Sequence, residues 1–517
     1  MKLNKYILPV VLMAGCAVLP SCDDRLDIGQ HGVTNVSNFY KTDADAEEAV
    51  TACYDAWKSV YVPSFWVKNL LSDDVYNGGE SWTAGSPALA YYTFDSGMSY
   101  ISQWYEALYK VIYRANVVLE NTSAEGASPT MKRAIAEAHV FRAMAYLDLI
   151  PYWGTPVLVD HVLAPSEYSS PNGDTAALWA LVEADLNAAL AGGLDEKANV
   201  NAWTYRITKG FAQALLGKAY VLQKKWSEAA SILETLIISE KYDLEASMED
   251  LMTLKGEESK ETLFESNWVY DPSQSSAMAP MIWVYTQWRG GGMWNHTPAA
   301  AAQWNDSGWG FFNPTEEIQK AFESEEGKDG YRYNCYIKDL KFMNDNGVTL
   351  MSSILECPDH CGLFDWKYRV LTPGTYQWYF ALSPNNTRYM RYAEVLLYAA
   401  EANLQAGDPA KAKKYLNDVR KRAKLADKDN VTMADIKLER QLELWFEGSR
   451  YQDLVRWGDA ASVLANRGKS RPALKADGTI THMTYATDGF KAGKHELLPF
   501  PTSEINSNPN LVQNPGW

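Results

Sequence analysis

Apolar residues recur every three or four positions along much of the chain, which is the period of a helix with one buried face. The clearest run covers residues 131–152, and its apolar face is formed by Ile135, Ala138, Phe141, Ala145 and Leu149. Pro151 and Gly154 predict where this helix ends, because proline and glycine terminate helices. Similar patterns predict helices over about 102–120, 175–190 and 209–223.

Two segments repeat one pattern of small and large residues. The first carries Leu216, Gly217, Tyr220, Trp226, Ala229 and Leu233, which matches the skeleton of a tetratricopeptide unit. The second, from Leu396 to Leu416, carries Ala400, Ala402, Gly407 and Ala412. Small residues let paired helices approach closely, and stacked pairs bury one another's apolar faces. We therefore predict a mostly α-helical fold of tetratricopeptide-like helix pairs with loop-rich insertions.

The helical period is lost at about 71–97 and 260–385, two segments rich in aromatic and polar residues. Long irregular segments inside a compact protein are usually functional. Flat aromatic rings can cover the apolar faces of sugars, while amides, carboxylates and guanidinium groups bond the hydroxyls. The predicted stacking residues are Trp82, Trp283, Trp288, Trp294 and Trp309, and the predicted polar contacts are Asp74, Asn77, Arg289 and Asn295. For any single tryptophan, burial in a core is an equal alternative.

The first residues have the features of a secretory signal. Lys2 and Lys5 precede an apolar run that is too short to span a bilayer. Cys22 follows this run directly, as in bacterial lipoproteins whose cysteine is acylated after cleavage. Cys16 is the alternative, but the residues after it are still apolar. We expect a signal peptide over 1–21, lipidation of Cys22 and attachment to a membrane surface.

Charge and cysteine content narrow the possible ligands. The net charge of −16 becomes −18 without Lys2 and Lys5, which argues against nucleic acid and favours neutral ligands. Cys357 and Cys361 lack a partner pair at zinc spacing, so a local disulfide or free thiols are favoured over a metal centre. No motif indicates a cofactor or a catalytic nucleophile.

The segment 439–456 concentrates charged residues. Glu439, Glu443 and Glu447 lie four positions apart on one helical face, and Arg450 and Arg456 follow. Paired carboxylates perform acid–base chemistry in glycosidases. Ion pairing is the favoured interpretation, because like charges on one face require cations, with Arg391 and Glu401 as partners from a neighbouring helix pair.

Five segments together resemble one family. They are SCDDRLD from 21, EAHVFRAMAYLDLIPYWGTPVLV from 137, RYAEVLLYAAEA from 391, ERQLELWFEGSRYQDLVRWG from 439 and LLPFPTSEINSNPNLVQNPGW from 497. In this order they resemble the SusD/RagB family of outer-membrane glycan-binding lipoproteins. The resemblance is weakest in the two irregular segments.

The resemblance implies an α superhelix of about four tetratricopeptide-like pairs and no enzymatic activity. It also implies a SusC-like TonB-dependent transporter as partner, to which the lipoprotein delivers oligosaccharide or polysaccharide from the cell exterior. We expect an N-terminal region over 22–225 with the first helix pairs and a C-terminal region over 226–517. The alternatives are a secreted helical glycoside hydrolase and a scaffold that binds only protein.

Overall fold

The computed structural model describes residues 39–78, 87–201, 205–268, 280–288, 293–304, 308–371, 383–485 and 489–517. The predicted signal peptide, Cys22, Trp82 and Arg289 lie outside the described residues. Their predicted roles therefore stay predictions. Within the described ranges, none of the helices combines the length and the apolar character that crossing a membrane would require.

Helices provide most of the regular structure. They are α1 (Asp43–Leu70), α2 (Pro87–Ala90), α3 (Ser99–Asn121), α4 (Pro129–Trp153), α5 (Thr175–Ala191), α6 (Lys209–Leu222), α7 (Trp226–Ile237), α8 (Ile282–Thr286), α9 (Pro298–Ala301), α10 (Glu316–Glu326), α11 (Tyr331–Tyr336), α12 (Leu340–Asp345), α13 (Tyr392–Gln405), α14 (Pro409–Arg422), α15 (Met433–Glu443), α16 (Arg450–Trp457), α17 (Ala460–Val463) and α18 (Thr502–Ser507). The four long helices predicted from apolar periodicity are confirmed as α3 to α6.

Local sequence explains where the long helices begin and end. At the start of α1, the Thr42 hydroxyl accepts a hydrogen bond from the Asp45 N–H. In return, the Asp45 carboxylate accepts a hydrogen bond from the Thr42 N–H. The hydroxyl of Ser128 caps α4, and Pro129 occupies the first turn, where its missing N–H costs nothing. Gly154 ends α4 with a positive φ of 73°.

The long helices form four pairs that follow one another in space. The pairs are α1 with α3, α4 with α5, α6 with α7, and α13 with α14. Contacts of α3 with α4, α5 with α6, and α7 with α13 join the pairs in series. This series of stacked pairs confirms the predicted tetratricopeptide-like fold.

Gly217 shows why the repeat needs a small residue. A Cβ at this position of α6 would lie 2.3 Å from Cδ2 of Leu233 on α7. Glycine therefore sets the close approach of the two helices. Across the fourth pair, Ala400 and Ala412 are fully buried.

Short antiparallel strands organise the irregular segments. They are β1 (Val75–Asn77), β2 (Thr262–Ser266), β3 (Trp294–His296), β4 (Phe312–Pro314), β5 (Ile337–Asp339), β6 (Val348–Leu350), β7 (Glu356–Pro358), β8 (Leu363–Asp365), β9 (Thr387–Arg391), β10 (Ser470–Lys475) and β11 (Ile480–Thr484). The described pairings are β1–β4, β2–β9, β3–β6 and β5–β8, and β10 lies between β7 and β11. Each pairing except β10–β11 joins segments distant in sequence.

Among the described residues, the buried apolar side chains form one large core and two smaller ones. The large core runs through the helix pairs and continues under the loops. The second core combines Leu474 of β10 with residues of the aromatic segment, namely Trp288, Met293, Trp294, Ala300, Trp304, Met343, Val348, Cys357, Phe364 and Trp366. The aromatic segment thus folds around its own tryptophans at the side of the helical body.

Candidate functional site

Strand pairing brings the two irregular segments together. In the antiparallel pair β1–β4, Asn77 lies opposite Phe312 and Tyr76 lies opposite Asn313. The N–H of Gly78 then donates a 2.9 Å hydrogen bond to the carbonyl of Phe311. The chain around Asn77 is therefore held beside the segment that carries Trp309.

Aromatic rings collect at this junction. The Trp66 ring of α1 stacks on Tyr100 at 4.9 Å between centroids, with 13° between the planes, and it contacts Tyr285 at 5.2 Å. The Tyr285 ring lies 5.5 Å from Trp309 and stacks on Phe311 at 5.6 Å. Trp66 and Phe311 are buried beneath the others. We name the three half-buried residues, Tyr100, Tyr285 and Trp309, the aromatic platform.

The backbone holds this platform in place. The N–H of Trp309 donates to the carbonyl of Val284 at 2.8 Å, and the N–H of Phe311 donates to the carbonyl of Tyr285 at 2.9 Å. Beneath them, the buried Gln287 amide donates to the carbonyl of Tyr368 at 2.6 Å and accepts from the N–H of Val370 at 2.9 Å. A ligand would meet rings that are already ordered, so little conformational entropy is lost on binding.

The platform carries no charge near neutral pH. Burial, followed by the neighbouring Tyr285, raises the pKa of Tyr100 to about 12. Burial also raises the pKa of Tyr285. Both phenols therefore stay protonated and present O–H groups beside apolar ring faces. This combination suits a ligand with hydroxyl groups and apolar C–H faces.

Three of the predicted stacking residues are buried. The exposed fractions of the side chains are 1% for Trp283, 6% for Trp288 and 3% for Trp294. The Trp283 indole N–H donates to the carbonyl of Asn385 at 3.1 Å. Protein atoms cover these three rings, as in the alternative of burial in a core. A ligand contact by any of the three stays a prediction.

The second core explains the burial of two of these rings. Trp288 stacks on Trp366, with 6.0 Å between centroids and 6° between planes. Trp294 contacts Phe364 edge to face at 5.0 Å. Trp304 packs edge to face on Trp366 at 5.0 Å. These rings stabilise the fold of the aromatic segment.

The predicted polar contacts occupy different environments. Asp74 is buried, and its Oδ1 accepts from the Gln441 amide at 2.8 Å. Burial, followed by the neighbouring Asp73, raises the pKa of Asp74 to about 7. Asn77 is buried on β1, and Asn295 is exposed on β3, the strand of Trp294. Of these three, Asn77 is the one that β1–β4 pairing holds next to the platform segment.

The sequence selected neither Tyr100 nor Tyr285 as a candidate. Tyr100 lies in the first turn of α3, where an aromatic residue in a helical pattern is usually assigned to the core. Tyr285 lies between Trp283 and Trp288 in the sequence, and no local pattern distinguishes an exposed ring from a buried one there. Their half-buried position depends on Trp66, which is distant in sequence.

The charged segment 439–456 forms a buried ion-pair network. Glu443 accepts hydrogen bonds from Arg391 at 2.7 Å, from Arg332 at 3.1 Å and from Arg422. Further along, Arg456 donates to both carboxylate oxygens of Glu401 at 2.6 and 2.7 Å. The predicted pairing of this tract, with Arg391 and Glu401 as partners, is confirmed.

This network is unsuited to general acid catalysis. The surrounding arginines outweigh the effect of burial and lower the pKa of Glu443 to about 2. Arg391 and Lys367 likewise lower the pKa of Glu447. A glycosidase needs one carboxyl that remains protonated near neutral pH. Neither Glu443 nor Glu447 can meet that requirement here.

The two cysteines of the segment 357–361 are buried among apolar side chains. Cys357 lies in the second core and Cys361 in the large core, and both thiols are free. Burial raises the pKa of both, to about 12 for Cys357. Across the described ranges, no cluster of three His, Cys, Asp or Glu side chains could hold a metal ion.

Comparison with known proteins gives matches at both ends of the chain. Residues 367–517 match the family model described as the SusD family. Residues 33–221 match a model described as starch-binding and associating with the outer membrane. The unmatched segment between them contains most of the aromatic region.

Individual relatives match over nearly the whole length. A SusD-like protein P2 of Formosa agariphila is 25% identical and is matched over 100% of both chains. The solved structure titled laminarin binding SusD-like protein is 26% identical, with a TM-score of 0.77 over 92% of this chain and 100% of that chain. Surface glycan-binding protein A from Bacteroides thetaiotaomicron, solved in complex with laminarihexaose, shows a TM-score of 0.73 at 24% identity over 92% and 100%. The protein belongs to the SusD/RagB family.

Proposed function

We propose that this protein binds a neutral oligosaccharide or polysaccharide on the aromatic platform and passes it, uncleaved, to a SusC-like TonB-dependent transporter. The observation that carries the proposal is the platform itself, with three half-buried rings held by backbone hydrogen bonds over a buried Trp66. Family membership supports the same role.

The chemistry of the platform favours sugars over other ligands. Sugar rings have one apolar face that can lie flat on an aromatic ring, and their hydroxyls can bond the nearby phenols. The net charge of −16 disfavours polyanions such as nucleic acid. One related structure is titled as laminarin-binding, and another is a complex with laminarihexaose. Laminarin and laminarihexaose are therefore the first ligands to test.

Titration calorimetry with laminarihexaose and a panel of neutral oligosaccharides tests the binding. Each stacked ring contributes about 0.5–1.5 kcal/mol beyond its buried area. Since about 1.4 kcal/mol is tenfold in affinity, the double change Tyr285→Ala with Trp309→Ala should weaken binding about 5- to 100-fold. Tyr168→Ala, which removes a 64% exposed ring elsewhere, is the control and should bind as the wild type does. Equal affinity of the double variant and the wild type would remove the platform from the site.

Product analysis separates this proposal from the hydrolase alternative. Pure protein incubated with each bound glycan should release no shorter sugars. Sustained hydrolysis that Glu443→Gln and Glu447→Gln abolish would establish the hydrolase instead. A scaffold that binds only protein would associate with the transporter and show no affinity for any glycan.

Delivery to a transporter requires a tether and a partner. We propose that acylated Cys22 anchors the domain to the outer membrane, with the platform on the exterior side. One matching family model is described as associating with the outer membrane, and this description supports the location. Co-purification of the full chain with a co-expressed SusC-like transporter tests the partnership.

A further inference from the structure

A concave surface separate from the aromatic platform lies between α1, the chain at Tyr205 and the end of β2. This side groove has a volume of about 300 Å³ and is lined among others by Tyr54, Lys58, Tyr205, Ser266 and Asn267. That volume is at the lower end of the range for small-molecule sites. Lys58 precedes Trp66 by eight residues on α1, which places the groove roughly 12 Å along the helix axis from the platform.

The walls of the side groove combine apolar and polar groups. Tyr205 is 58% exposed, an unusual position for so large a ring. The Tyr54 ring is fixed, because its hydroxyl accepts from the N–H of Ile207 at 2.9 Å and its edge packs on Phe141. Asn267 and Ser266 are half-buried, and within the described ranges their side chains have no hydrogen-bond partner.

The charges at the base of the groove are neutralised, with one exception. Arg206 is paired with Glu137 and Glu47, and Glu265 is paired with Arg388. Lys58 forms no ion pair with any described residue, and its ammonium lies 5.1 Å from the centroid of the Trp268 ring. The groove therefore offers hydrogen-bond donors to a ligand without a cluster of positive charge.

Trp268 stiffens the edge of the groove next to Asn267. Its backbone N–H donates to Asn386 Oδ1 at 3.0 Å, and its indole N–H donates to Thr387 Oγ1 at 3.3 Å. Both partners belong to or precede β9, which pairs with β2 just before Asn267. The polar and aromatic groups are thus presented from paired strands and a long helix, which are rigid elements.

From these observations we propose that the side groove is a second sugar-binding subsite, which holds one neutral sugar unit of a polymer whose main segment lies on the platform. The Tyr205 ring covers an apolar sugar face, and Lys58, Ser266 and Asn267 bond hydroxyls. This subsite rests on the proposed function. Its consequence is avidity, because a polymer long enough to reach both surfaces binds the second one intramolecularly.

The test compares a polymer with a disaccharide that is too short to reach both surfaces, beginning with laminarin and laminaribiose. Two variants remove or fill the groove, namely Tyr205→Ala with Asn267→Ala, and Ser266→Trp. Both should bind laminarin about tenfold more weakly than the wild type and laminaribiose within about twofold of it. Tyr168→Ala is the control, and circular dichroism verifies that each variant is folded.

Each of the following results would contradict the proposed subsite. If both variants bind the polymer as tightly as the wild type, the subsite is wrong and the proposed function stands. If they lose affinity for the disaccharide equally, the groove is not a separate subsite. If the wild type binds no glycan of the panel in either form, the proposed function fails, and the subsite fails with it.

Discussion

Replacing Glu443 by glutamine tests whether the charged segment is a structural network. Glu443 is fully buried and accepts from three arginines, Arg332, Arg391 and Arg422. The amide keeps the shape of the side chain and removes its charge. Three guanidinium groups then share fewer carboxylates in a site that water does not reach.

The expected loss of stability follows from the pKa of the group. The arginines lower the pKa of Glu443 from an ordinary 4.5 to about 2. Because each factor of ten in proton affinity is about 1.4 kcal/mol, the charge contributes about 3 kcal/mol to folding near neutral pH. Breaking a buried ion pair by removing one partner costs about 3–5 kcal/mol. We therefore expect Glu443→Gln to lower the free energy of unfolding by about 3 kcal/mol.

Urea unfolding followed by circular dichroism at pH 7 measures this difference. Glu48→Gln is the matched control, because Glu48 is exposed on α1 and should change stability by less than about 0.5 kcal/mol. A loss below about 1 kcal/mol in Glu443→Gln would refute the reasoning. Such a result would mean that the three arginines are satisfied without this carboxylate.

The same group gives the protein a predictable response to acid. A carboxyl whose pKa is lower in the folded state stabilises the fold fully above its unfolded pKa, and the effect is lost as pH falls through the folded pKa. For Glu443 the window runs from about pH 5 down to about pH 2. The wild type should lose stability across this window more steeply than Glu443→Gln. Parallel curves for the two proteins would contradict the assignment.

Three further predictions concern packing and location. Gly217→Val should cost at least about 1–3 kcal/mol of unfolding free energy, since a Cβ there meets Leu233 at 2.3 Å; an unchanged urea midpoint would contradict this. Trp366→Ala removes a buried ring that contacts Trp288 and should cost about 3–5 kcal/mol, seen as faster limited proteolysis of the aromatic segment. Cys22→Ser should move the protein from the membrane fraction to the soluble fraction, and retention in the membrane would contradict the lipid anchor.

Apolar periodicity predicted α3 to α6, whereas α1, which is 28 residues long, was not predicted. The helix expected over 131–152 is observed at Pro129–Trp153, and that expected over 209–223 at Lys209–Leu222. Contacts within a helix are local, so the spacing of apolar residues every three or four positions can be recognised within one short segment of the sequence. The small residue at Gly217 was informative for the same reason, because its partner Leu233 lies in the next helix.

The aromatic segment could not be predicted in the same way. Trp288 and Trp309 occur in similar surroundings in the sequence, yet one is buried and the other half-buried. The difference arises from Trp366, which covers Trp288 from far along the chain. Strand pairs such as β1–β4 are equally non-local, and three-residue strands leave no readable alternation. Composition therefore identified the region that carries the site but could not select its exposed rings.

The most recognisable segment of the sequence supports the candidate site without forming it. Arg450 donates to both oxygens of Asp73 at 2.8 and 2.9 Å, and Gln441 donates to Asp74 at 2.8 Å. Thr315, just after β4, donates its hydroxyl to the carbonyl of Asp73 at 2.7 Å. These bonds fix both strands of the β1–β4 pair to the helices of segment 439–458. The side chains of the aromatic platform take no part in these bonds, so substitutions in the platform leave the anchoring bonds in place.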